Sequence, residues 1–298
     1  MILHFTKMHG CGNDYVYING FTEHIPQEEK PALVRRLSDR HFGIGGDGVI
    51  FINPVKAQES AADFEMEMWN ADGTRAEMCG NGIRCVAKYV YDHGMINSEN
   101  FNIVSAGKVK KIELTVKNGK AVMARVNMGA PVLNAADIPV SLPSVSGSDK
   151  DNTVSPETRI IGAPITVQDK TYHMTCVSMG NPHAVVFVDD TASLDIDRIG
   201  PDFEHHPYFP ARTNTEFVQV VSRDYVKMRV YERGTGETLA CGTGCCATAV
   251  ACVLNGLTDN TITVEVLGGK LRIEWDKETN EVFMTGPAET VFDGTMEI

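Results

Sequence analysis

The sequence predicts a protein of two similar lobes, each built from helices and strands, and three observations point to it. The phrase Cys79-Gly80-Asn81-Gly82 has a counterpart at Cys241-Gly242-Thr243-Gly244. Each phrase is followed at the same distance by a glycine and then by a Gly-Lys pair. Equivalent positions in the two halves are therefore separated by the same number of residues. A chain of 298 residues is also long enough to form two domains with substantial cores.

The N-terminal segment predicts a strand, a glycine turn, a second strand, a helix and a glycine-rich loop, in that order at residues 3–9, 10–12, 15–18, 28–40 and 43–48. The helix is indicated by Leu33, Val34 and Leu37, which share one face. The loop leads into a strand at 49–52. Because no helical pattern follows the loop and no Gly-Lys-Ser/Thr ending closes it, it does not indicate a dinucleotide site.

The repeated unit reads as a glycine-rich turn, a buried helix and then strands. Apolar residues follow each cysteine phrase with helical spacing, and Gly94 and Gly256 are typical helix stops. Strands are predicted after these stops at residues 102–105, 109–116, 261–266 and 271–275. The first unit ends around residues 127–131, and the Ser-, Pro- and Asp-rich stretch 141–158 predicts a surface loop without chemistry.

Composition narrows the class of partner. The net charge of −12 opposes non-specific binding to nucleic acid or to acidic membranes, so a small-molecule ligand is expected, and a cleft between lobes is a natural place for it. The N-terminus lacks an apolar signal region and no stretch of about 18 apolar residues occurs, so we expect a soluble, cytoplasmic protein. The eight cysteines are therefore expected to be reduced, and their spacings do not favour a metal site.

Two thiols placed by a repeat suit the inversion of a carbon centre. Inverting an amino acid without a cofactor requires a base on one face of the α-carbon and an acid on the other, and a thiolate and a thiol can share that task. The glycines after Cys79 and Cys241 allow helix-start N–H groups to approach a carboxylate, and the same fields are expected to lower the pKa of both thiols. The other six cysteines are expected to be small buried side chains: Cys11, Cys85, Cys176, Cys245, Cys246 and Cys252.

The sequence blocks resemble those of the diaminopimelate epimerases over nearly the whole chain. The blocks are Lys7 to Asp14, Asn70 to Gly73 continuing through Cys79 to Gly82, Ser178 to His183, and Tyr231 to Gly234 continuing through Cys241 to Gly244. The resemblance implies an α+β fold with two pseudo-symmetric lobes, each a curved, mostly antiparallel sheet wrapped around a central helix, with the active site in the cleft between them. It implies an N-terminal lobe of residues 1–127, joined by a returning C-terminal strand at 288–298, and a C-terminal lobe of residues 128–287.

The resemblance also implies the reaction and the residues that carry it. The reaction would interconvert LL- and meso-diaminopimelate without pyridoxal phosphate or another cofactor, and its product would feed lysine and peptidoglycan synthesis. Cys79 and Cys241 would be the acid/base pair, with His183 tuning the first and Glu232 the second. The reacting carboxylate would be held by backbone amides of Gly80, Asn81, Gly242 and Thr243.

The far end of such a substrate is a second amino-acid head, which needs both donors and an acceptor. By the resemblance, the residues that contact substrate include Asn13, Asn70, Asn181, Asn214 and Arg233, with Glu232 as the acceptor. Alone, each of the asparagines other than Asn13 is more typical of a turn. Some family members carry Gln at the position of Gly48, where backbone or water would have to replace the side chain.

Other functions fit parts of the sequence. The nearest alternative is another cofactor-independent racemase of the same fold, acting on proline or histidine, which would not need Arg233 and the asparagines. Alternatives from other classes are a binding protein without turnover and a thiol redox protein. A homodimer is expected from family likeness only.

Overall fold

The structure is a computed structural model that describes residues 2–55, 61–76, 78–143 and 155–298. The chain divides into two compact units, Met1–Asn127 with Thr285–Ile298 and Met128–Met284. Strands dominate both units, so the predicted α+β class is confirmed. The central part of the predicted surface loop, residues 144–154, lies outside the described residues.

The same order of elements recurs in both halves, except that the second half has one additional strand at its start. The first half contains β1 (Ile2–Gly10), β2 (Asn13–Asn19), α1 (Lys30–Ser38), β3 (Gly48–Asn53), β4 (Phe64–Asn70), β5 (Arg75–Ala76), α2 (Gly80–Asp92), β6 (Asn100–Ser105), β7 (Lys108–Lys117) and β8 (Lys120–Gly129). The second half contains β9 (Ala163–Val167), β10 (Lys170–Ser178), β11 (Pro182–Phe187), α3 (Ile196–Glu204), β12 (Asn214–Ser222), β13 (Tyr225–Glu232), β14 (Gly236–Thr238), α4 (Gly242–Leu254), β15 (Thr261–Val266), β16 (Gly269–Asp276) and β17 (Glu281–Pro287). The last strand is β18 (Glu289–Glu297).

The first unit is a mixed sheet. β1 pairs antiparallel with β2, β2 parallel with β3, β3 antiparallel with β4, β4 parallel with β6, and β6 antiparallel with β7. On its other side β1 pairs antiparallel with the C-terminal strand β18, from Ile2 opposite Glu297 to His9 opposite Glu289. Each parallel pair needs a long crossover. The crossover between β2 and β3 carries α1, and the one between β4 and β6 carries α2.

The second unit repeats this plan. β10 pairs antiparallel with β11, β11 parallel with β12, β12 antiparallel with β13, β13 parallel with β15, and β15 antiparallel with β16. Its crossovers carry α3 and α4. The internal repeat found in the sequence therefore corresponds to a repeated order and sense of strand pairing. This gives each residue near one cysteine a structural counterpart near the other.

One buried helix packs against the sheet of each unit. α2 contacts β1, β2 and β7, and α4 contacts β10, β11, β12, β15 and β16. Ile83, Val86 and Val90 on α2 are 0% exposed. Burying each such side chain contributes about 1.5–3 kcal/mol, so tertiary packing rather than intrinsic helix propensity stabilises these short helices.

The predicted helix stops are confirmed. Gly94 and Gly256 have φ of 67° and 70°, a left-handed conformation that glycine adopts without a side-chain penalty. Beyond Gly94, the Met95 N–H reaches back to the Val90 carbonyl at 2.9 Å, which closes the end of α2.

Most of the predicted secondary structure is confirmed, but one helix and several strands, among them β4 and β9 to β13, were not predicted. The strands and the helix expected before the first cysteine phrase all form, with ends that differ from the prediction by two residues or fewer. No sequence pattern indicated α3, which contains Pro201. Proline in a helix interior removes a backbone donor and is unusual there, so local sequence pattern argued against it. None of the helices in the described part of the chain is long and apolar enough to cross a membrane.

Candidate active site

Cys79 is the N-cap residue of α2. Its backbone is extended, with φ −130° and ψ 115°, and its sulfur accepts a hydrogen bond from the Gly82 N–H at 3.2 Å. A thiol therefore occupies the position that Ser, Thr or Asp usually takes at a helix start. The first-turn N–H groups of a helix have no acceptor within it, so this end is suited to binding an anion beside the sulfur.

Three polar side chains surround this sulfur, and with Cys79 they form the Cys79 cluster: Asn13, Tyr15 and Asn81. The thiol donates to Asn13 Oδ1 at 3.1 Å, and the Asn81 amide donates to the same oxygen at 3.3 Å. The Tyr15 hydroxyl also hydrogen-bonds to the thiol. Asn13 in turn donates to Asp47 Oδ2 at 2.6 Å, which fixes its amide. The structure thus brings Asn13 and Asn81 of the predicted residues to Cys79, and adds Tyr15.

Arg84, on the next turn of α2, supports the cluster from inside the unit. The side chain is 0% exposed. It donates to the Gly80 carbonyl at 3.0 Å, to Asn81 Oδ1 at 2.9 Å and to the Pro287 carbonyl at 3.1 Å. A fully buried guanidinium is rare unless its donors are used, so its hydrogen bonds fix the turn that carries Asn81. The sequence pattern did not single out Arg84, because arginine at this helix position is usually exposed.

Cys241 is the N-cap residue of α4 and reproduces the geometry of Cys79. Its backbone is extended, with φ −113° and ψ 110°, and its sulfur accepts from the Gly244 N–H at 3.4 Å. The Thr243 hydroxyl lies 3.5 Å from the sulfur. Glu232, at the end of β13, also hydrogen-bonds to Cys241. The structure therefore places a carboxyl group beside the second thiol, where the first thiol has Asn13 and Tyr15.

The sequence predicted that the helix starts lower the pKa of both thiols. This is wrong, because the net shift of both pKa values is upward. Burial raises the pKa of Cys79 above its usual value, although backbone N–H groups, Tyr15 and Arg84 oppose the rise. Burial, followed by the negative charges of Glu232 and Glu216, raises the pKa of Cys241 well above its usual value. In both cases the cost of desolvating a thiolate outweighs a few hydrogen bonds to it. The neighbouring charge is positive beside Cys79 and negative beside Cys241.

The residue Cys79 retains part of its exposure while Cys241 is only 6% exposed. The Cys79 sulfur is nevertheless enclosed by its hydrogen-bond partners, which is why burial is the largest influence on both thiols. Burial also raises the pKa of the Glu232 carboxyl, with the Thr238 hydroxyl opposing this through a 2.5 Å hydrogen bond to Oε1. The Cys241 side therefore favours protonated groups more strongly than the Cys79 side.

His183 lies on β11 and is 0% exposed. Its Nδ1 is 2.7 Å from Glu216 Oε1, and its Nε2 is 3.0 Å from Asn181 Oδ1. The predicted pair Asn181 and His183 is thus in direct contact. Glu216 was not predicted, since a single glutamate in the strand pattern of β12 gives no signal of burial.

The remaining predicted residues occupy other positions. Asn214 is buried and bridges the Pro182 carbonyl, at 3.0 Å, and the Arg233 N–H, at 2.9 Å. The exposed Arg233 guanidinium donates to the Ala211 carbonyl at 3.0 Å. Asn70 is exposed at the end of β4 and donates to the Thr74 hydroxyl at 3.1 Å. Asn214 and Arg233 thus share a polar cluster, while Asn70 belongs to its own turn.

Gly48 leaves no room for a side chain. A Cβ at this position would lie 2.0 Å from the Trp69 carbonyl oxygen on the paired strand β4. In this backbone, therefore, no glutamine can stand at residue 48, and glycine is required by strand packing. Across the part of the chain that the structure describes, no group of three or more His, Cys, Asp or Glu side chains is arranged to hold a metal ion.

Comparison with known proteins identifies the family. A family model described as "Diaminopimelate epimerase" matches residues 5–134 and 175–291. The chain belongs to the diaminopimelate epimerase family. Relatives carrying that name include a protein of Agathobacter rectalis, 53% identical over 294 residues and covering 99% of both chains. Another, from Nostoc punctiforme, is 48% identical over 298 residues and covers 99% of this chain and 100% of its own.

Solved structures show that the diaminopimelate epimerase fold is shared more widely. A phenazine biosynthesis protein of the PhzF family from Bacillus anthracis has a TM-score of 0.69 at 14% identity, with 100% of both chains covered. A probable proline racemase from Agrobacterium radiobacter has a TM-score of 0.67 at 14% identity, covering 99% of this chain and 92% of its own. At these identities the likeness concerns the fold alone.

Proposed function

We propose that this protein is an isomerase that interconverts LL-2,6-diaminopimelate and meso-2,6-diaminopimelate with a pair of cysteines and no cofactor. The relatives that match it over nearly their full length carry the name diaminopimelate epimerase. The observation that carries the mechanism is that a cysteine caps the equivalent buried helix in each unit. A repeat that preserves a thiol at a helix N-terminus suits a reaction that needs an acid and a base of the same kind.

The proton transfers balance with two thiols. In the direction from the LL isomer, the Cys79 thiolate takes the α-proton and becomes a thiol. The electron pair of the broken C–H bond passes into the substrate carboxylate, and the Cys241 thiol then gives its proton to the opposite face of the carbon. The reverse reaction exchanges the roles, with Cys241 as the base towards the meso isomer.

Helix-start amides would stabilise the charge that develops in the carboxylate. The backbone N–H groups of Gly80, Asn81, Gly242 and Thr243 belong to the first turns of α2 and α4. Donors and helix dipoles fixed before the reaction stabilise the transition state more than the ground state, where the carboxylate carries less charge. Glycines at these starts keep the backbone open to the ligand.

The other predicted residues complete the proposal. His183 would tune the protonation of Cys79, and Glu232 that of Cys241, beside which it lies. Asn13, Asn70, Asn181, Asn214 and Arg233 would contact the substrate, with Glu232 accepting from its distant ammonium group. The product would serve lysine and peptidoglycan synthesis. A chemistry that needs free thiols fits the reducing cytoplasm, and a homodimer is the expected assembly.

Deuterium incorporation tests the substrate and the mechanism together. The protein is incubated in deuterated water with LL-diaminopimelate, proline or histidine, and α-deuterium is measured by mass spectrometry. We expect exchange with diaminopimelate only, and a severe loss of epimerisation in Cys79→Ser and in Cys241→Ser. Cys252→Ala is the matched control, because Cys252 is a buried cysteine of α4 away from its N-terminus.

The other outcomes identify the alternatives. Exchange only with proline or histidine would replace the substrate. Full activity in both serine variants would remove the two-thiol mechanism. Turnover that requires cycles of disulfide formation and reduction would instead indicate a redox protein, whereas in the proposed mechanism oxidation of the thiols simply inactivates.

A further inference from the structure

A buried carboxylate in the second unit has no use in the mechanism so far. Glu216 on β12 is 0% exposed. Its Oε1 is hydrogen-bonded to His183 Nδ1, while its Oε2 has no partner among the described residues. Burying a carboxylate with one oxygen unsatisfied is costly, so packing alone does not account for this residue.

The internal repeat supplies a comparison for Glu216. In the parallel pair β11 and β12, His183 lies opposite Asn214. Two residues further along both strands, Val185 lies opposite Glu216. In the corresponding pair β2 and β3, Tyr15 lies opposite Gly48. Two residues further along both strands, Tyr17 lies opposite Ile50. Glu216 is therefore the structural counterpart of Ile50.

The two counterparts also face the same helix position. A Cβ on Gly82 would lie 2.6 Å from Ile50 Cδ1, and a Cβ on Gly244 would lie 2.6 Å from Glu216 Oε1. Each side chain thus packs against the second glycine of a cysteine phrase. Since the first unit fills this place with isoleucine, the scaffold itself does not require a charge there. The carboxylate is specific to the unit that contains His183.

Both ring nitrogens of His183 face acceptors. Nδ1 faces Glu216 Oε1 at 2.7 Å and Nε2 faces Asn181 Oδ1 at 3.0 Å. A ring that carries hydrogens on both nitrogens satisfies both contacts, and its positive charge matches the buried carboxylate.

We propose that Glu216 is a positioning residue of the epimerase: it accepts the Nδ1–H of His183, fixes the ring against the first turn of α4, and keeps a second hydrogen on Nε2 directed at Asn181. This rests on the proposed function, in which His183 is the partner of Cys79. A doubly protonated ring favours a thiolate in its partner, so the carboxylate acts on the reaction through His183.

The charges around Glu216 come from several elements. His183 lies on β11, Glu232 on β13, and Cys241 at the start of α4. Cys176 on β10 has its pKa raised first by burial and then by the charge of Glu216. Besides raising the pKa of Cys241, Glu216 raises that of Glu232, for which burial is the larger cause. The negative charge of Glu216 therefore also favours the protonated form of Cys241, which is the proposed acid in the direction from the LL isomer.

Three variants test the proposal. Glu216→Ile installs the residue that the first unit uses, and Glu216→Gln keeps an acceptor oxygen but removes the charge. Thr215→Val is the control, since Thr215 is the adjacent residue, is 0% exposed and has an unpartnered hydroxyl among the described residues. Each protein is measured for thermal stability, for kcat and KM of epimerisation, and by nitrogen-15 histidine NMR, with His183→Asn used to assign the ring signals.

We expect both ring nitrogens of His183 to carry hydrogens in the wild type, and one of these two hydrogens to be lost in both Glu216 variants. We expect kcat to fall about 10- to 100-fold in Glu216→Ile, as when the partner that orients a functional histidine is lost, and KM to change little because Glu216 does not touch substrate. The kcat of Glu216→Gln should lie between those of Glu216→Ile and the wild type. Thr215→Val should match the wild type in all three measurements.

Each contrary result has a distinct meaning. A folded Glu216→Ile protein with wild-type kcat, or a wild-type ring with a hydrogen on one nitrogen only, overturns the proposal. Should Glu216→Ile fail to fold, Glu216→Gln decides, and an unchanged kcat and ring spectrum in that variant overturn it. Absence of deuterium exchange in the wild type would instead refute the proposed function. The NMR result does not depend on substrate, so the two failures can be distinguished.

Discussion

Replacing Arg84 with methionine should destabilise the first unit and weaken the Cys79 site together. The arginine is 0% exposed and lies one helical turn after Cys79. Methionine retains a long apolar chain, so the change removes the guanidinium without opening a large cavity. The effect then comes from the hydrogen bonds and the charge.

The size of the effect follows from the acceptors left behind. Arg84 donates to the Gly80 carbonyl, the Asn81 side chain and the Pro287 carbonyl at distances of 2.9–3.1 Å. Leaving a buried acceptor without its donor costs about 1–3 kcal/mol each, so the free energy of unfolding should fall by about 4 kcal/mol. With an unfolding entropy of about 2.1 cal/mol/K per residue, this lowers Tm by about 6 °C.

Calorimetry and thiol alkylation check the two consequences. Tm of Arg84→Met is compared with that of Arg35→Met, which alters an exposed arginine that donates to the Asp72 carbonyl at 3.4 Å. Because the positive charge of Arg84 lowers the pKa of Cys79, its loss should move the alkylation of Cys79 to higher pH. A Tm within about 1 °C of the control, with unchanged alkylation, would refute the reasoning.

Three further outcomes are expected. Iodoacetamide should modify Cys79 at lower pH than Cys241, because acidic neighbours as well as burial raise the pKa of Cys241; peptide mass spectrometry measures this, and equal profiles would contradict it. Burial alone would raise the pKa of Glu67, but hydrogen bonds, led by that from Lys30, lower it below its value in the unfolded chain. The ionised carboxylate therefore stabilises the folded protein at pH values above the unfolded pKa, and this stabilisation is lost as the pH falls through the folded pKa. Glu67→Gln should therefore lower Tm at pH 7 and flatten its decline towards pH 3, and an unchanged slope would count against this. Gly244→Ala should cost about 1–3 kcal/mol in urea unfolding and reduce kcat, since its Cβ would press on the carboxylate beneath it at 2.6 Å.

The repeat supplies the same scaffold twice but not the same chemistry. Tyr15 in the first unit corresponds to His183 in the second, and Ile50 corresponds to Glu216. In addition, the guanidinium of Arg84 lowers the pKa of the first thiol, whereas the carboxylates of Glu232 and Glu216 raise that of the second. Two cysteines with equivalent backbones thus differ in how far their pKa is raised, and the proposed reaction, which needs one base and one acid, requires the two thiols to differ.

The duplication, the family, three of the helices and the strands next to the two cysteine helices could be predicted from the sequence. The offset between Cys79 and Cys241, the glycine stops and the period of apolar residues are local signals, and each reflects a backbone preference that neighbours in sequence impose. For the same reason the sequence alone places both thiols at helix starts. The helix around Pro201 could not be predicted in this way, because packing against β12, β13 and β14 overrides a local signal that opposes it.

The side chains that surround each thiol, and the charges they carry, follow from the folded chain and could not be predicted from the sequence. Arg84 and Glu216 look like surface residues in sequence, and both are 0% exposed because distant strands and loops close over them. The helix dipole was evident from the sequence, but the desolvation that outweighs it depends on how completely the sulfur is enclosed. Burial is a property of the assembled unit, since it sums contacts from residues far apart in the chain. The sequence therefore indicated the two candidate thiols, and the fold determined their electrostatic environment.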